Sequence, residues 1–232
     1  MKLKQRKEDS TAIKVIKGVV TVLFMLALIF VPAGTLRWPE AWLLLIFYLA
    51  TVTGVMIWMK INAPGLLKER MSRNKEIKSW DKIIMIAYSF LLIILLAVPG
   101  LDAVRFGWSE VSLIVKALGF IGYIPATSFA FWAMRENAYA SDVVRIQEDR
   151  GHTVCTTGPY RYVRHPMYTG VILFVLCFPL SLGSLYSFIP ASLIIVLFII
   201  RTSLEDKTLL EELPGYKEYA QKVRYRLLPG VW

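Results

Sequence analysis

The sequence has few of the residues that build metal sites and disulfide frameworks. Its 232 residues include two cysteines and two histidines. These form no cluster with the short spacing that a structural zinc site needs, so such a site is not supported. Cys177 lies in an apolar run and Cys155 in a polar segment. We therefore expect the two thiols at different depths of the fold and do not expect them to pair.

Charged residues are missing from long stretches of the chain, which is 56% hydrophobic with a mean hydropathy of +0.53. The apolar runs cover residues 19–31, 42–58, 83–101, 111–134, which is broken by Lys116, and 167–200. The last run is too long for one membrane crossing, and Pro179 and Gly183 near its middle favour two helices. Because one span needs about 20 apolar residues, the sequence predicts an all-α, multi-pass membrane protein of about six hydrophobic helices. The last two are expected to form a helical hairpin.

The net charge of +10 is distributed unevenly among the loops. Basic residues gather in the N-terminal tail, in the loops near residues 68–82 and 135–164, and in the C-terminal tail, whereas the opposite loops have only Arg37 and Arg105. Cytoplasmic loops carry such an excess, so both termini are expected in the cytoplasm. The same charge attracts anionic membrane lipids. No nucleic-acid partner is expected.

The polar residues that could do chemistry are concentrated after residue 134. Residues 1–134 are therefore predicted to be a transmembrane scaffold of about four spans. Residues 135–232 are predicted to be the functional region. Within it, residues 143–146 favour either a helical turn or a strand, and the sequence does not decide between them.

The densest polar segment covers residues 158–170 and reads GPYRYVRHPMYTG. Proline is tolerated in a first helical turn, so a helix should begin near Pro166 with His165 as its cap. The N–H groups of that turn, together with Arg161 and Arg164, would attract a carboxylate or phosphate. Alternatively, these arginines bind lipid phosphates.

A second polar segment follows the last apolar run. Arg201 and Glu205 are four residues apart and share one helix face. Ionisable groups that emerge directly from an apolar run usually have partners. Tyr216 and Tyr219 also share a face and could either pack together or stack on a ligand. Aromatic rings, a carboxylate and arginines suit a zwitterionic cofactor such as S-adenosylmethionine.

The two segments closely resemble conserved blocks of the isoprenylcysteine carboxyl methyltransferase and phospholipid methyltransferase superfamily. The first block is residues 158–170, and the second comprises Glu205-Asp206, Leu209, residues 213–219 and residues 224–229. The resemblance lies in the C-terminal region, residues 135–232. Two features depart from the family pattern. The acidic pair is Glu205-Asp206 instead of two glutamates, and the motif that ends at Tyr216 is one residue shorter.

The resemblance implies an integral-membrane methyltransferase that uses S-adenosylmethionine. Its cofactor pocket would face the cytoplasm, and its lipidic substrate would enter sideways from the bilayer. The resemblance further implies that Arg201 and Glu205 lie where the methyl group is transferred. The residues implied to line the cofactor pocket are Tyr160, Arg164, His165, Tyr168, Gly170, Glu205 and Tyr216.

The sequence leaves the methyl acceptor open. A carboxylate, as in a prenylcysteine or a small isoprenoid acid, needs no general base and could be held by Arg201. A phospholipid amine would need a base, for which Glu205 is the candidate. Two other classes are a membrane reductase of the sterol-reductase type, which binds NADPH, and a non-enzymatic scaffold or transporter. A transporter would favour more polar groups within the spans.

Overall fold

The computed structural model describes residues 11–72 and 77–232, and the side chains of all of these except residues 11–15 and 17. Lys2, Lys4, Arg6, Lys7, Arg73 and Lys75, which contribute to the predicted charge asymmetry, lie outside these residues. In the described part all regular structure is helical and no strand is present, which confirms the all-α prediction. The α-helices are α1 (Thr11–Ala33), α2 (Pro39–Asn62), α3 (Pro64–Met71), α4 (Ser79–Pro99), α5 (Leu113–Glu136), α6 (Pro166–Leu182), α7 (Phe188–Glu212) and α8 (Tyr216–Lys222).

Four of the described helices are long and apolar enough to cross a membrane. They are α2, α5, α7 and α4, and the span of α4 includes the π-helical turn Gly100–Phe106 that follows it. The apolar part of α1 (Gly18–Ala33) and α6 are shorter. Large apolar side chains cover the outside of the bundle, as at Leu23, Ile46 and Ile86, which are 58%, 63% and 62% exposed. Such a surface suits lipid, and the protein is a membrane protein.

Gly183 divides the long charge-free stretch into α6 and α7. Its φ of +71° is a left-handed conformation that ends α6, and α7 begins after four further residues. Buried Asp102 holds this turn, since its Oδ2 accepts hydrogen bonds from Ser184 Oγ at 2.6 Å and from the Tyr186 N–H at 3.2 Å. The two helices pack against each other.

α5 and α6 approach most closely, through small residues. A Cβ atom on Gly119 would lie 2.5 Å from the Ser181 backbone nitrogen, and one on Gly170 would lie 2.8 Å from the Ala126 carbonyl oxygen. Small residues allow membrane helices to pack backbone against backbone. Tyr123 fills the core beside this contact, fully buried, and its hydroxyl lies 2.7 Å from Ser181 Oγ.

Residues 137–157 cross one end of the bundle. Residues 143–146 form neither a helix nor a strand there, so neither of the predicted alternatives occurs. α3 and α4 hold this segment. Glu69 binds the Arg145 guanidinium at 3.0 and 3.1 Å, and Asp81 Oδ2 accepts from the Val144 N–H at 2.8 Å. The segment therefore covers the end of the bundle where α6 begins and α7 ends.

Candidate active site

A cleft opens at this end of the bundle. It encloses about 750 Å³ including its open mouth. Its walls come from residues 137–155, the turn Gly158–Arg161 and the adjoining parts of α6, α7 and α8. The sequence-predicted residues that line the cleft are Tyr160, Arg164, His165, Tyr168, Glu205 and Tyr216.

The first turn of α6 is built as the sequence predicts. Pro166 is the first helical residue and His165 is the N-cap. The backbone N–H groups of Arg164 and His165 donate to the carbonyl oxygens of Tyr225 and Arg226, both at 2.9 Å. The C-terminal segment is thereby fixed against the start of α6.

A fully buried carboxylate, Asp206, organises the charges behind the cleft. Arg164 binds it through Nε at 2.8 Å and Nη2 at 2.9 Å, and Arg226 Nε binds it at 2.9 Å. His165 Nε2 lies 3.1 Å away, and the Tyr216 hydroxyl donates at 2.9 Å. Because a buried charge is costly unless it is paired, this network serves first to hold α6, α7, α8 and the C-terminal segment together.

Arg164 makes more hydrogen bonds to other parts of the protein than the sequence suggested. Its Nη1 donates to the carbonyl oxygens of Val223 and Arg224 at 2.8 and 2.9 Å, in addition to the bonds with Asp206. Burial lowers the pKa of the Arg164 guanidinium, but the bonds to Asp206 outweigh burial, so the pKa is raised overall and the charge is retained. Arg164 therefore lines the cleft as a braced wall residue.

Glu205, the residue before Asp206 on α7, lines the cleft. Its side chain is 22% exposed. The Tyr168 hydroxyl donates a short hydrogen bond to Oε2. Oε1 lies 3.9 Å from His165 Nδ1, which is beyond hydrogen-bond distance. Glu205 thus combines a fixed orientation with access to the cleft, as a ligand or catalytic group requires.

Arg201 is not among the described residues that line the cleft. Its Nε donates to Asp81 Oδ1 at 2.8 Å, and its Nη2 donates to the Asp142 carbonyl oxygen at 2.9 Å. The guanidinium lies over the Tyr168 ring, 5.3 Å from its centroid. Arg201 therefore has the partner that the sequence predicted for it and contacts the cleft through Tyr168.

Three tyrosines form the aromatic wall. Tyr219 donates to the Tyr160 carbonyl oxygen at 2.8 Å, the Tyr160 hydroxyl accepts from Asn137 Nδ2 at 3.2 Å, and the Tyr216 and Tyr219 rings meet edge to face at 5.4 Å. Burial raises the pKa of all three phenols, so they stay neutral. Tyr216 lines the cleft, although its motif is one residue shorter than the family pattern.

Gly170 lies elsewhere. It packs against Ala126 and Ala130 of α5 and lines a second cavity between the helices. That cavity encloses about 1750 Å³ including its opening and is walled mainly by apolar side chains of α1, α2, α4, α5 and α6. The cleft and this cavity approach each other near the start of α6, because Arg70, which lines the cavity, contacts Ala140 and Met167, which line the cleft.

The sequence did not single out part of the cleft wall. Tyr139 and His152 line it, with their rings 4.5 Å apart. Burial, with the nearby charges of Arg150 and Arg145, lowers the pKa of His152 to about 4. Both residues were visible as polar residues of the long loop, but no motif marked them.

The fold and the site define an integral-membrane protein with a polar ligand cleft at one end of its helices and an apolar cavity beside it. Residues 117–211 match the isoprenylcysteine carboxyl methyltransferase (ICMT) family. The matched segment includes every site residue predicted from the sequence except Tyr216, and it confirms the resemblance over those residues. It supports a membrane methyltransferase. No curated protein matches the chain.

Proposed function

We propose that the protein transfers a methyl group from S-adenosylmethionine to a carboxylate on a lipidic acceptor, such as a prenylcysteine. The observation that carries this proposal is the approach of two unlike spaces near the start of α6, where Arg70 of the cavity wall contacts Met167 of the cleft wall. A polar cleft holding the Glu205 carboxylate adjoins an apolar cavity with room for a hydrocarbon chain. A methyltransferase that acts on a lipid needs both.

The cleft residues fit this cofactor chemically. Glu205 offers a carboxylate to a cationic group, and Tyr160 and Tyr168 offer aromatic surfaces. His165, Arg164 and Tyr216 would complete the walls, braced by Asp206. When bound, S-adenosylmethionine supplies a methyl group already activated by its sulfonium. The protein therefore has mainly to align the reacting groups and exclude water.

The residues around Glu205 have different roles in aligning the reacting groups. Tyr168 fixes the Glu205 carboxylate through its hydroxyl, and Arg201 supports the Tyr168 ring from behind. We therefore assign Glu205 to binding the cationic part of the cofactor beside the reacting groups, and Arg201 to positioning Tyr168. A carboxylate acceptor is ionised at neutral pH, so no group in the cleft has to remove a proton from it.

The membrane arrangement is part of the proposal. All six apolar helices, α1, α2 and α4 to α7, lie in the membrane, with α6 and α7 as a hairpin and the cleft and both termini on the cytoplasmic side. The charge asymmetry of the loops supports this orientation. Residues 1–134 act as scaffold and residues 135–232 as the catalytic region, and α5 of the scaffold contributes to the cavity wall. The acceptor reaches the cavity from the bilayer.

The test is methyl transfer in membranes that contain the protein. Membranes are incubated with methyl-labelled S-adenosylmethionine, and the labelled lipid is treated with base. Release of labelled methanol indicates a methyl ester, whereas label that remains in the lipid indicates an amine acceptor. The wild type is compared with Glu205→Gln and with Glu211→Gln, an exposed glutamate on the same helix.

We expect base-labile label in the wild type and in Glu211→Gln, and loss of most transfer in Glu205→Gln with the fold retained. Wild-type turnover in Glu205→Gln would contradict the assignment of Glu205. Absence of label in wild-type membranes, together with protection from heat by NADPH and not by S-adenosylmethionine, would favour a reductase instead.

A further inference from the structure

Arg70, on the short helix α3, reaches the region where the cleft and the apolar cavity adjoin. It lines the cavity. Its Nε donates to the Ala140 carbonyl oxygen at 2.9 Å, and its Nη2 lies 3.6 Å from Met167 Sδ. Ala140 and Met167 both line the cleft. One guanidinium thus contacts the border of both spaces.

The rest of the cavity wall makes this position unusual. Among the described residues that line the cavity, Arg70 is the only charged one, and the others are apolar apart from a few hydroxyl-bearing side chains of threonine and tyrosine. A hydrocarbon chain in this cavity would meet a single cation. That cation lies on the side where the cleft begins.

The Arg70 guanidinium is partly buried and lies near the Asp142 carboxylate. Burial lowers the pKa of its guanidinium, and the charge of Asp142 acts in the opposite direction. Charges interact more strongly in such a poorly hydrated place than in water. A lipid whose polar end is an oxyanion would be attracted there, and a lipid ammonium would be repelled. A guanidinium has five N–H donors, so it can bind an oxyanion while it keeps other contacts.

Arg201 is less suited to this role, although the sequence favoured it. Its Nε and Nη2 donate to Asp81 and to the Asp142 carbonyl oxygen, and its guanidinium lies against the Tyr168 ring. Arg201 is not among the described residues that line the cleft or the cavity, whereas Arg70 lines the cavity.

We infer that Arg70 binds the carboxylate of the lipidic acceptor and makes the protein select lipid acids over lipid amides and amines. This inference rests on the proposed function, since it assumes that the cavity holds the acceptor. It assigns acceptor selection to α3, in the region predicted to be only scaffold and outside the segment that matches the family.

The test separates binding from chemistry. Binding of an S-farnesyl N-acetylcysteine and of its uncharged amide is measured on the purified full-length protein without S-adenosylmethionine. Arg70→Gln and Arg70→Lys are compared with Lys68→Gln, which removes a charge from an exposed position of the same helix. The affinity for S-adenosylmethionine and the KM and kcat for the acid are measured alongside.

We expect the wild type and Lys68→Gln to bind the acid at least about tenfold more tightly than the amide, as for a hydrogen bond to a charged group. In Arg70→Gln the ratio of the acid affinity to the amide affinity should fall towards one, and the KM for the acid should rise. The affinity for S-adenosylmethionine should stay within about twofold of the wild-type value. Arg70→Lys should keep part of the preference, because it keeps the charge but not the guanidinium geometry.

Three results would overturn the inference. One is a wild type that binds acid and amide equally, and another is an acid preference that survives in Arg70→Gln. The third is Arg70-dependent binding of phosphatidic acid without binding of the prenylcysteine acid, which would assign the site to a phospholipid head group.

If Arg70→Gln fails to fold, the ratio of acid affinity to amide affinity in Arg70→Lys decides. Failure of the wild type to transfer methyl groups to any lipid would count against the proposed function, and the binding ratio is measured independently of that.

Discussion

Asp81 binds Arg201 across 120 residues of sequence, with Arg201 Nε 2.8 Å from Asp81 Oδ1. Asp81 is fully buried and Arg201 is 5% exposed. The same carboxylate accepts the N–H of Val144. One side chain of α4 thereby fixes α7, the loop above the cleft and, through Arg201, the Tyr168 ring.

Asp81→Ala should destabilise the protein by about 3–5 kcal/mol, because it leaves the Arg201 charge buried without its partner. Thermal unfolding in detergent measures this effect. The double variant Asp81→Ala/Arg201→Met should recover much of the loss, since no buried charge remains. Glu211→Ala, at an exposed position of α7, is the control and should unfold like the wild type. An equally stable Asp81→Ala would contradict the importance of the pair.

Tyr168→Phe removes the hydroxyl that holds Glu205 but keeps the ring that contacts Arg201. A hydrogen bond to a charged group contributes about 1.5–3 kcal/mol. If that orientation matters in the transition state, kcat should fall about 10- to 100-fold in a protein that is still folded at the assay temperature. Steady-state methyl transfer checks this. Tyr162→Phe changes an exposed tyrosine outside the cleft and should leave kcat unchanged; equal rates in all three proteins would refute the role of Tyr168.

The α5–α6 contact should not tolerate even one methyl group. Gly119→Ala places a Cβ 2.5 Å from the Ser181 backbone nitrogen, and overpacking of this kind costs about 1–3 kcal/mol. Gly54→Ala is the matched control, because that helical glycine has nothing within 4 Å of its Cβ position. It should be neutral or slightly stabilising, since alanine is the better helix former. Loss of stability in Gly54→Ala alone would show that the close contact is wrong.

His152 should make stability depend on pH in a defined window. Burial and the charges of Arg150 and Arg145 lower its pKa from 6.5 to about 4 in the folded protein. Between these values the unfolded chain binds the proton more readily, so stability falls as pH decreases from about 6.5 to 4 and is unaffected by His152 above that window.

The check is the unfolding temperature between pH 4 and 7 for the wild type and His152→Gln. The unfolding temperature of the variant should fall less on acidification than that of the wild type, because glutamine does not titrate. His165, the other histidine of the chain, remains in both proteins and cancels from the comparison. Parallel pH profiles would mean that His152 titrates normally in the folded state.

Much of the fold and part of the site follow from the sequence. The apolar runs gave the positions of the apolar helices, although α1 begins earlier, at Thr11, and α7 extends further, to Glu212, and Pro166 marked the start of α6. Arg201 stood out as a charge in need of a partner, but nothing identified Asp81 as that partner. Gly170 belonged to the cofactor motif by sequence, yet it packs between helices beside the apolar cavity.

The difference has a physical reason. Hydrophobicity, helix capping and helix termination depend on neighbouring residues, so the sequence by itself determined a membrane protein of apolar helices with its polar chemistry in two C-terminal segments. Which carboxylate binds Arg201 and Arg164, and which side chains face the cleft or the cavity, depend on how distant helices rotate and pack. The tertiary structure alone decided that Asp206 braces the site, that Glu205 faces the cleft and that Arg70 adjoins both spaces.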